Sequence, residues 1–265
     1  TESSGTPVRG TIVLVMGATA SMIWWPSSLI EQLESGGFRV IRYDHRDTGQ
    51  STTGAPGHIG YDVDNLANDL IAVLDAYEVE SVHLVGMSLG GLLAQIVALR
   101  LPTRVQSLTL IAAEPLGMEY EGAGLPAGFM AHFGKMADLD WNSREAVVDF
   151  MLGIARLSGG CSPQFDAESA KDRIRREIDH ARNMQSAFNH SMIAGELEPA
   201  LQASNLTQPT LIIHGTEDPL ISVNAARRSE SSIAGSNLML LEGRGHELLA
   251  QDGPLIARAI LDHIH

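Results

Sequence analysis

The five residues Gly86-Met87-Ser88-Leu89-Gly90 restrict this chain more than any other stretch, because an apolar β-type run, 82–85, enters them and a helical run, 92–100, leaves them. A strand that turns directly into a helix has no room for side chains two positions before and after the turn, and it holds the turning residue at a strained positive φ. Gly86 and Gly90 answer the crowding. Ser88 is left with its hydroxyl exposed, which is the pattern of a nucleophile elbow.

The rest of the chain fits a sheet that could carry such an elbow. Short, nearly all-apolar runs at 11–16, 39–43, 82–85, 107–111, 210–214 and 237–241 read as strands buried on both faces. Helical patterns lie between them: over 62–77, Val63, Leu66, Ala67, Leu70, Ile71 and Leu74 share one side, and Asp62 and Asp64 stand where the first free amides need acceptors. Alternation of this kind implies parallel pairing with right-handed crossovers. The expected fold class is therefore α/β, a mostly parallel doubly wound sheet.

One interval breaks the alternation. Between 115 and 205 no strand pattern is found; 143–157 and 166–195 read as helices, and Gly and Pro clusters at 122–128 and 158–163 read as loops. The expectation is a core built from 1–114 and 206–265, with a helical cap inserted at 115–205.

A serine nucleophile needs a base within hydrogen-bond reach, and the base needs a group that fixes its tautomer. In open parallel sheets such groups lie just beyond the carboxyl ends of the strands. After 210–214 comes Gly215-Thr216-Glu217-Asp218-Pro219, and after 237–241 comes Glu242-Gly243-Arg244-Gly245-His246. Ser88, His246 and Asp218 are the expected catalytic residues, with Glu217 and Glu114 as competing carboxylates. Their chain order, Ser then Asp then His, is that of the α/β-hydrolases. The oxyanion requires two backbone amides, expected at Leu89, directly after the nucleophile, and at Ala18, in the loop that follows the first strand.

The segments Gly86-Met87-Ser88-Leu89-Gly90-Gly91, His214-Gly215-Thr216-Glu217-Asp218-Pro219 and Gly245-His246 together resemble the α/β-hydrolase superfamily. Val15-Met16-Gly17 and the run from Val40 through Asp44-His45-Arg46-Asp47-Thr48-Gly49 to Thr52 are similar to the aclacinomycin methylesterase group. That resemblance implies cleavage of a carboxylic methyl ester through an acyl-enzyme. Many members of the superfamily carry His-Gly where this chain has Met16-Gly17, and Asp-x-Arg-Gly where it has Asp44-His45-Arg46-Asp47. The histidine of His-Gly usually braces the oxyanion loop, so what braces it here is an open question. Asp44, Arg46 and Asp47 read as a turn lattice. Relatives also carry an antiparallel hairpin before the first strand, whereas ten residues precede it here, so no regular two-stranded hairpin is expected before Thr11.

Substrate choice falls to the cap and the early loop. Gly17, Trp24, Trp25, Met87, Phe129, Met130, Phe133, Phe188 and Met192 are the expected pocket residues, and their apolar bias favours an apolar acyl or ring system. Other chemistries on the same triad remain open at this stage, namely a C–C bond hydrolase, a lyase or a perhydrolase, as does a hydrolase-derived receptor that binds without turnover. Ser88, standing where an aspartate would be needed, argues against dehalogenase or epoxide hydrolase chemistry.

Composition limits the partners. Lys plus Arg number 18 against 32 for Asp plus Glu, and the net charge of −14 argues against nucleic acid or an anionic membrane. No apolar run approaches the ~18 residues of a membrane span, and the first residues lack the basic and apolar regions of a signal peptide. The single Cys161 fits a reducing compartment, so a cytoplasmic protein acting on a small-molecule ester is expected. No cofactor is expected: His263 and His265 have no third metal ligand near them, and no Gly-rich phosphate loop occurs.

Overall fold

Side-chain alternation on one central strand decides how the sheet is covered. On the strand Gly10–Val15, Ile12 and Leu14 point into one apolar cluster together with Met16, and Val13 and Val15 point into another. Both faces are dry, so helices must cover both.

The computed structural model describes residues 1–4, 8–119, 124–159 and 165–264. In chain order the strands are β1 (Glu2–Ser4), β2 (Gly10–Val15), β3 (Phe38–Arg42), β4 (Val82–Met87), β5 (Val105–Ile111), β6 (Thr210–Gly215) and β7 (Asn237–Leu241), arranged β1-β3-β2-β4-β5-β6-β7. All neighbours are parallel except β1, which lies antiparallel on β3 with Glu2 opposite Arg42. No strand was expected at 2–4. β7 also departs from the expectation of a strand buried on both faces: it is the sheet's edge, and its residues are half-buried or exposed.

The helices are α1 (Ser27–Ser35), α2 (Val63–Ala76), α3 (Leu89–Arg100), α4 (Ala127–Gly134), α5 (Arg144–Ser158), α6 (Ala167–His180), α7 (Val223–Ser232) and α8 (Gly253–His263). Helices α2 and α3 cover the face formed by Val13 and Val15, while α1, α8, α5 and α6 contribute to the cluster on the other face. Local chemistry explains where several begin. Asp62 accepts the amide of Asn65 and the Asn65 side chain accepts the amide of Asp62, a reciprocal cap that starts α2. Ser143 accepts the Ala146 amide at the start of α5, and Asp166 accepts the amides of Glu168 and Ser169 at the start of α6.

Among the described residues between Ile111 and Thr210 there is no strand. The expected helix over 166–195 is two elements. Helix α6 stops at His180 because Ala181 turns extended, with ψ at 134°, and Arg182 donates its amide to Gly49 O. Asn183 then accepts the amides of Gln185 and Ser186 and starts a 3-10 segment, Ser186–Met192. The 122–128 loop also ends early, since Pro126 leads into α4. Residues 120–123 and 160–164, with Cys161 and parts of both expected loops, lie outside the described residues.

Parallel register brings the functional loops to one edge. Val15 pairs with Gly86, Met87 with Ile111, Ile111 with Ile213, and Gly215 with Leu241. The loops after β2, β4, β6 and β7 therefore leave the sheet on the same side.

Candidate active site

Ser88 sits between β4 and α3 at φ 51°, ψ −117°, a conformation that side chains rarely adopt. Backbone bonds on both sides hold it there: its amide donates to Ile111 O at 2.9 Å, and its carbonyl accepts the amides of Gly91 and Leu92 at 2.9 and 3.1 Å. The flanking glycines are required by contact. A Cβ on Gly86 would stand 2.3 Å from Gly90 O, and one on Gly90 would stand 2.0 Å from Val15 O. Gly17, after β2, is close enough that a Cβ there would lie 3.3 Å from the Cβ of Ser88.

His246 and Asp218 meet at the same edge. His246 Nδ1–H donates to Asp218 Oδ2 at 2.7 Å, while Asp218 Oδ1 accepts the amides of Leu220 and Ile221 at 2.8 and 2.9 Å. His214, buried on β6, stands 3.4 Å from Asp218 Oδ2 and donates its Nε2–H to Ile221 O. Burial pushes the Asp218 carboxyl up, but the facing His246, its N–H, the Ile221 amide and His214 outweigh it and hold the group below the usual carboxylate range. An ionised Asp218 on Nδ1–H leaves Nε2 of His246 as the basic nitrogen. The competing carboxylates are placed elsewhere: Glu217 is exposed, and Glu114 pairs with Arg228 of α7 at 2.9 Å.

Leu89 opens α3, where first-turn amides have no intrahelical acceptor and the helix dipole favours negative charge. Ala18 is exposed in the turn after β2, between buried Gly17 and Thr19, whose φ is 64°. The bracing of this turn comes from residues that carried no functional assignment in the sequence. His45 Nε2–H donates to Met16 O at 2.9 Å, and His190 Nδ1 accepts the Thr19 amide at 3.0 Å. Glu177 of α6 accepts both the amide and the hydroxyl of Ser21, at 2.9 and 2.6 Å. Asp44 accepts the Met22 amide at 2.9 Å and is itself held by His180 and the Gln50 amide. Asp47, at φ 67°, accepts Tyr61 Oη–H, the Asn189 amide group and the Gly54 amide, which hold it in a conformation that favours glycine.

Helix α6 reaches the other side of the site as well. Arg173 pairs with Glu247 at 2.6 Å, donates to Leu248 O at 2.7 Å and lies 4.1 Å over the Trp24 ring. The His246 amide donates to Ser158 O, at the end of α5, at 2.7 Å.

The expected pocket residues divide. Met87, Trp24, Trp25 and Phe188 are buried in one cluster with Met16, with Phe133 packed against it; Phe129 and Phe133, and Phe133 and Phe188, have ring centroids 6.0 and 6.3 Å apart. Trp24 and Trp25 line a cleft of about 230 Å³ with Phe165, Arg173 and Leu249, a cleft to which neither Ser88 nor His246 contributes. Met130 and Met192 are 59% and 38% exposed and belong to neither apolar cluster. Among the described residues no three His, Cys, Asp or Glu side chains are grouped as metal ligands are, and no helix is long and apolar enough to cross a membrane.

The buried histidines give the protein a pH-dependent stability. Burial holds His45, His190 and His214 below the ordinary histidine pKa, His45 at about 4. In the unfolded chain each titrates near ~6.5, so between the two values the unfolded state binds more protons and stability falls as pH drops from about 6.5 to about 4. For His45 alone the loss is about 3 kcal/mol. Urea unfolding at pH 7 and pH 4 checks this: His45→Gln, whose amide can still donate to Met16 O, is expected to lose about 3 kcal/mol less than wild type between the two. Equal losses would contradict the assignment.

A profile of the α/β hydrolase fold family matches residues 10–252. Rhodomycin D methylesterase DnrP of Streptomyces peucetius is 32% identical in an alignment covering 99% of this chain and 93% of that protein. Among solved structures, the esterase EaEST from Exiguobacterium antarcticum matches with a TM-score of 0.78 at 21% identity, covering 99% of this chain and 94% of that one. The meta-cleavage product hydrolase CumD from Pseudomonas fluorescens IP01 matches with a TM-score of 0.73 at 22% identity, covering 99% and 92%. At these identities the two structural likenesses speak to the fold.

Proposed function

The chain belongs to the α/β-hydrolase family and resembles its aclacinomycin methylesterase group, and on that premise we propose that it is a serine hydrolase cleaving a carboxylic ester of an apolar, ring-bearing acid, with a methyl ester as the favoured substrate. The observation that carries the proposal is the 2.7 Å hydrogen bond between His246 and an ionised Asp218, at the same sheet edge as the strained Ser88. The methyl ester preference rests on the named activity of the relative, and the apolar acid on the aromatic cluster of the insertion.

The chemistry follows from those groups. Ser88 Oγ attacks the ester carbonyl carbon as its proton passes to Nε2 of His246, and Asp218 stabilises the resulting imidazolium. The carbonyl oxygen, now anionic, takes the amides of Leu89 and Ala18. Collapse of this intermediate breaks the bond to the alcohol oxygen, which leaves with the proton from His246. Water then attacks the acyl-enzyme carbon, gives its proton to the same nitrogen, and the acid is released as Ser88 recovers its hydrogen.

Burst kinetics test this reading. With p-nitrophenyl butyrate in excess, a rapid release of p-nitrophenol equal to the enzyme concentration is expected before steady turnover, since the good leaving group makes acylation faster than hydrolysis of the acyl-enzyme. Methyl esters of fused-ring aromatic acids are expected to release methanol in the same assay series. Turnover of neither class, with saturable binding of both, would replace the enzyme by a ligand receptor.

A further inference from the structure

Helix α6 and the 3-10 segment after it carry polar side chains that face inward although nothing in the triad uses them. Arg173, Glu177 and His180 are spaced i, i+4 and i+7, which puts them on one face of the helix. That face is turned to the core: Glu177 is 2% exposed, and both its oxygens are taken by Ser21. Buried charge without a partner is costly, and a helix that only covered substrate would place apolar residues here.

His190 makes the most direct connection. Its Nδ1 accepts the Thr19 amide at 3.0 Å, and its Nε2 lies 2.7 Å from Arg46 O. A carbonyl accepts and an amide donates, so one neutral tautomer, protonated on Nε2, satisfies both bonds. Thr19 is the residue after Ala18, and its φ of 64° is not a conformation that a threonine holds unaided.

We infer that the insertion carries the positioning residues of the oxyanion loop: His190 fixes Thr19 and Glu177 fixes Ser21, so that the Ala18 amide is aimed at the reacting carbonyl only while the insertion is docked. The inference rests on the ester-hydrolase reading for the meaning of Ala18, and it adds that the insertion takes part in stabilising the transition state besides covering the substrate. The core holds the ends of this loop, through His45 on Met16 O and Asp44 on the Met22 amide, and the atoms that hold Thr19 and Ser21 between them come from 171 and 156 residues away along the chain.

Three substitutions at 190 separate positioning from packing. Asparagine places an oxygen near the position of Nδ1 and keeps the acceptor for Thr19. Glutamine places its amide near Nε2, keeps the donor to Arg46 and offers nothing to Thr19. Leucine keeps bulk alone. With p-nitrophenyl butyrate, His190→Gln and His190→Leu are expected to lose on the order of 10²-fold in kcat with KM within about 3-fold, the signature of an interaction made in the transition state. His190→Asn is expected to recover kcat to within about 5-fold of wild type. Hydrogen exchange at the Thr19 amide, read on the folded protein, is expected to be accelerated in the Gln and Leu variants and protected in the Asn variant.

If all three variants lose activity equally, or if Gln and Leu keep kcat within about 2-fold of wild type, His190 only packs and the inference fails. If the Leu variant does not fold, the Gln and Asn pair still decides. If wild type shows no burst and no turnover, the ester-hydrolase reading fails, whereas the exchange measurement still reports whether His190 holds Thr19; an unprotected amide in wild type overturns the inference independently.

Discussion

Ser88→Ala is expected to reduce kcat for p-nitrophenyl butyrate by about 10⁶-fold, leaving the fold and its melting transition in place. In the proposed mechanism the hydroxyl oxygen is the atom that becomes covalently attached, so its removal takes away the nucleophile itself. The fold survives because the residue's structural work is done by its backbone: the bonds to Ile111, Gly91 and Leu92 are all main chain. Steady-state rates with active-site titration check the prediction. Residual turnover above about 1% of wild type would mean that another nucleophile acts. The strain at φ 51° gives a companion result. Ser88→Gly is expected to be equally inactive yet more stable than Ser88→Ala by about 1 kcal/mol, since glycine adopts positive φ without the Cβ penalty.

Gly90→Ala is expected to lose activity for the opposite reason, through the fold. A methyl group there would stand 2.0 Å from Val15 O and 2.6 Å from Met16 O, and both are backbone atoms of the central strand and the turn after it. Neither can swing aside as a flexible side chain would. The start of α3 must retreat from β2, which breaks the seat of the elbow and moves Leu89 away from the turn after β2. A destabilisation above about 4 kcal/mol, or failure to accumulate as folded protein, is expected. Gly60→Ala is the control: a Cβ at that position meets nothing within 4 Å and the residue has no positive φ. Its unfolding midpoint in urea should match wild type, and a similar loss in both variants would contradict the packing argument.

What could be read in the sequence was set by how local its cause is. The elbow was legible because its requirement spans five residues, and the glycines, the serine and the flanking strand and helix are contiguous. Helix α2 was legible because Asp62 announces its start and six apolar side chains mark its face. Strands β2 to β7 were found within a few residues of their ends, since sheet burial leaves apolar runs. The overlong helix at 166–195 failed on a local signal of another kind: Asn183 competes for the backbone and starts a new turn, a cue that apolar periodicity ignores.

The braces of the turn after β2 were illegible for a different reason. Glu177 and Ser21 meet across 156 positions, and His190 and Thr19 across 171. In the sequence a His in the expected cap reads as a packed or solvated side chain, and a Glu on an expected helix gives no sign of what it holds. The one available signal was the i, i+4, i+7 spacing of Arg173, Glu177 and His180, which says that the three share a face and not that the face is buried. The placement of the three carboxylates was likewise not legible, because all three follow strands at the same edge; in the structure Asp218 lies 2.7 Å from His246, and Glu114 pairs with Arg228.

The central claim, that the elbow serine is the activated nucleophile, is tested most directly by trapping it. Wild-type protein treated with a fluorophosphonate and digested should yield a single stoichiometric adduct on the peptide containing Ser88, and His246→Ala should slow its formation by several orders of magnitude. An adduct mapped to another residue, or labelling at Ser88 that proceeds as fast without His246, would contradict the account.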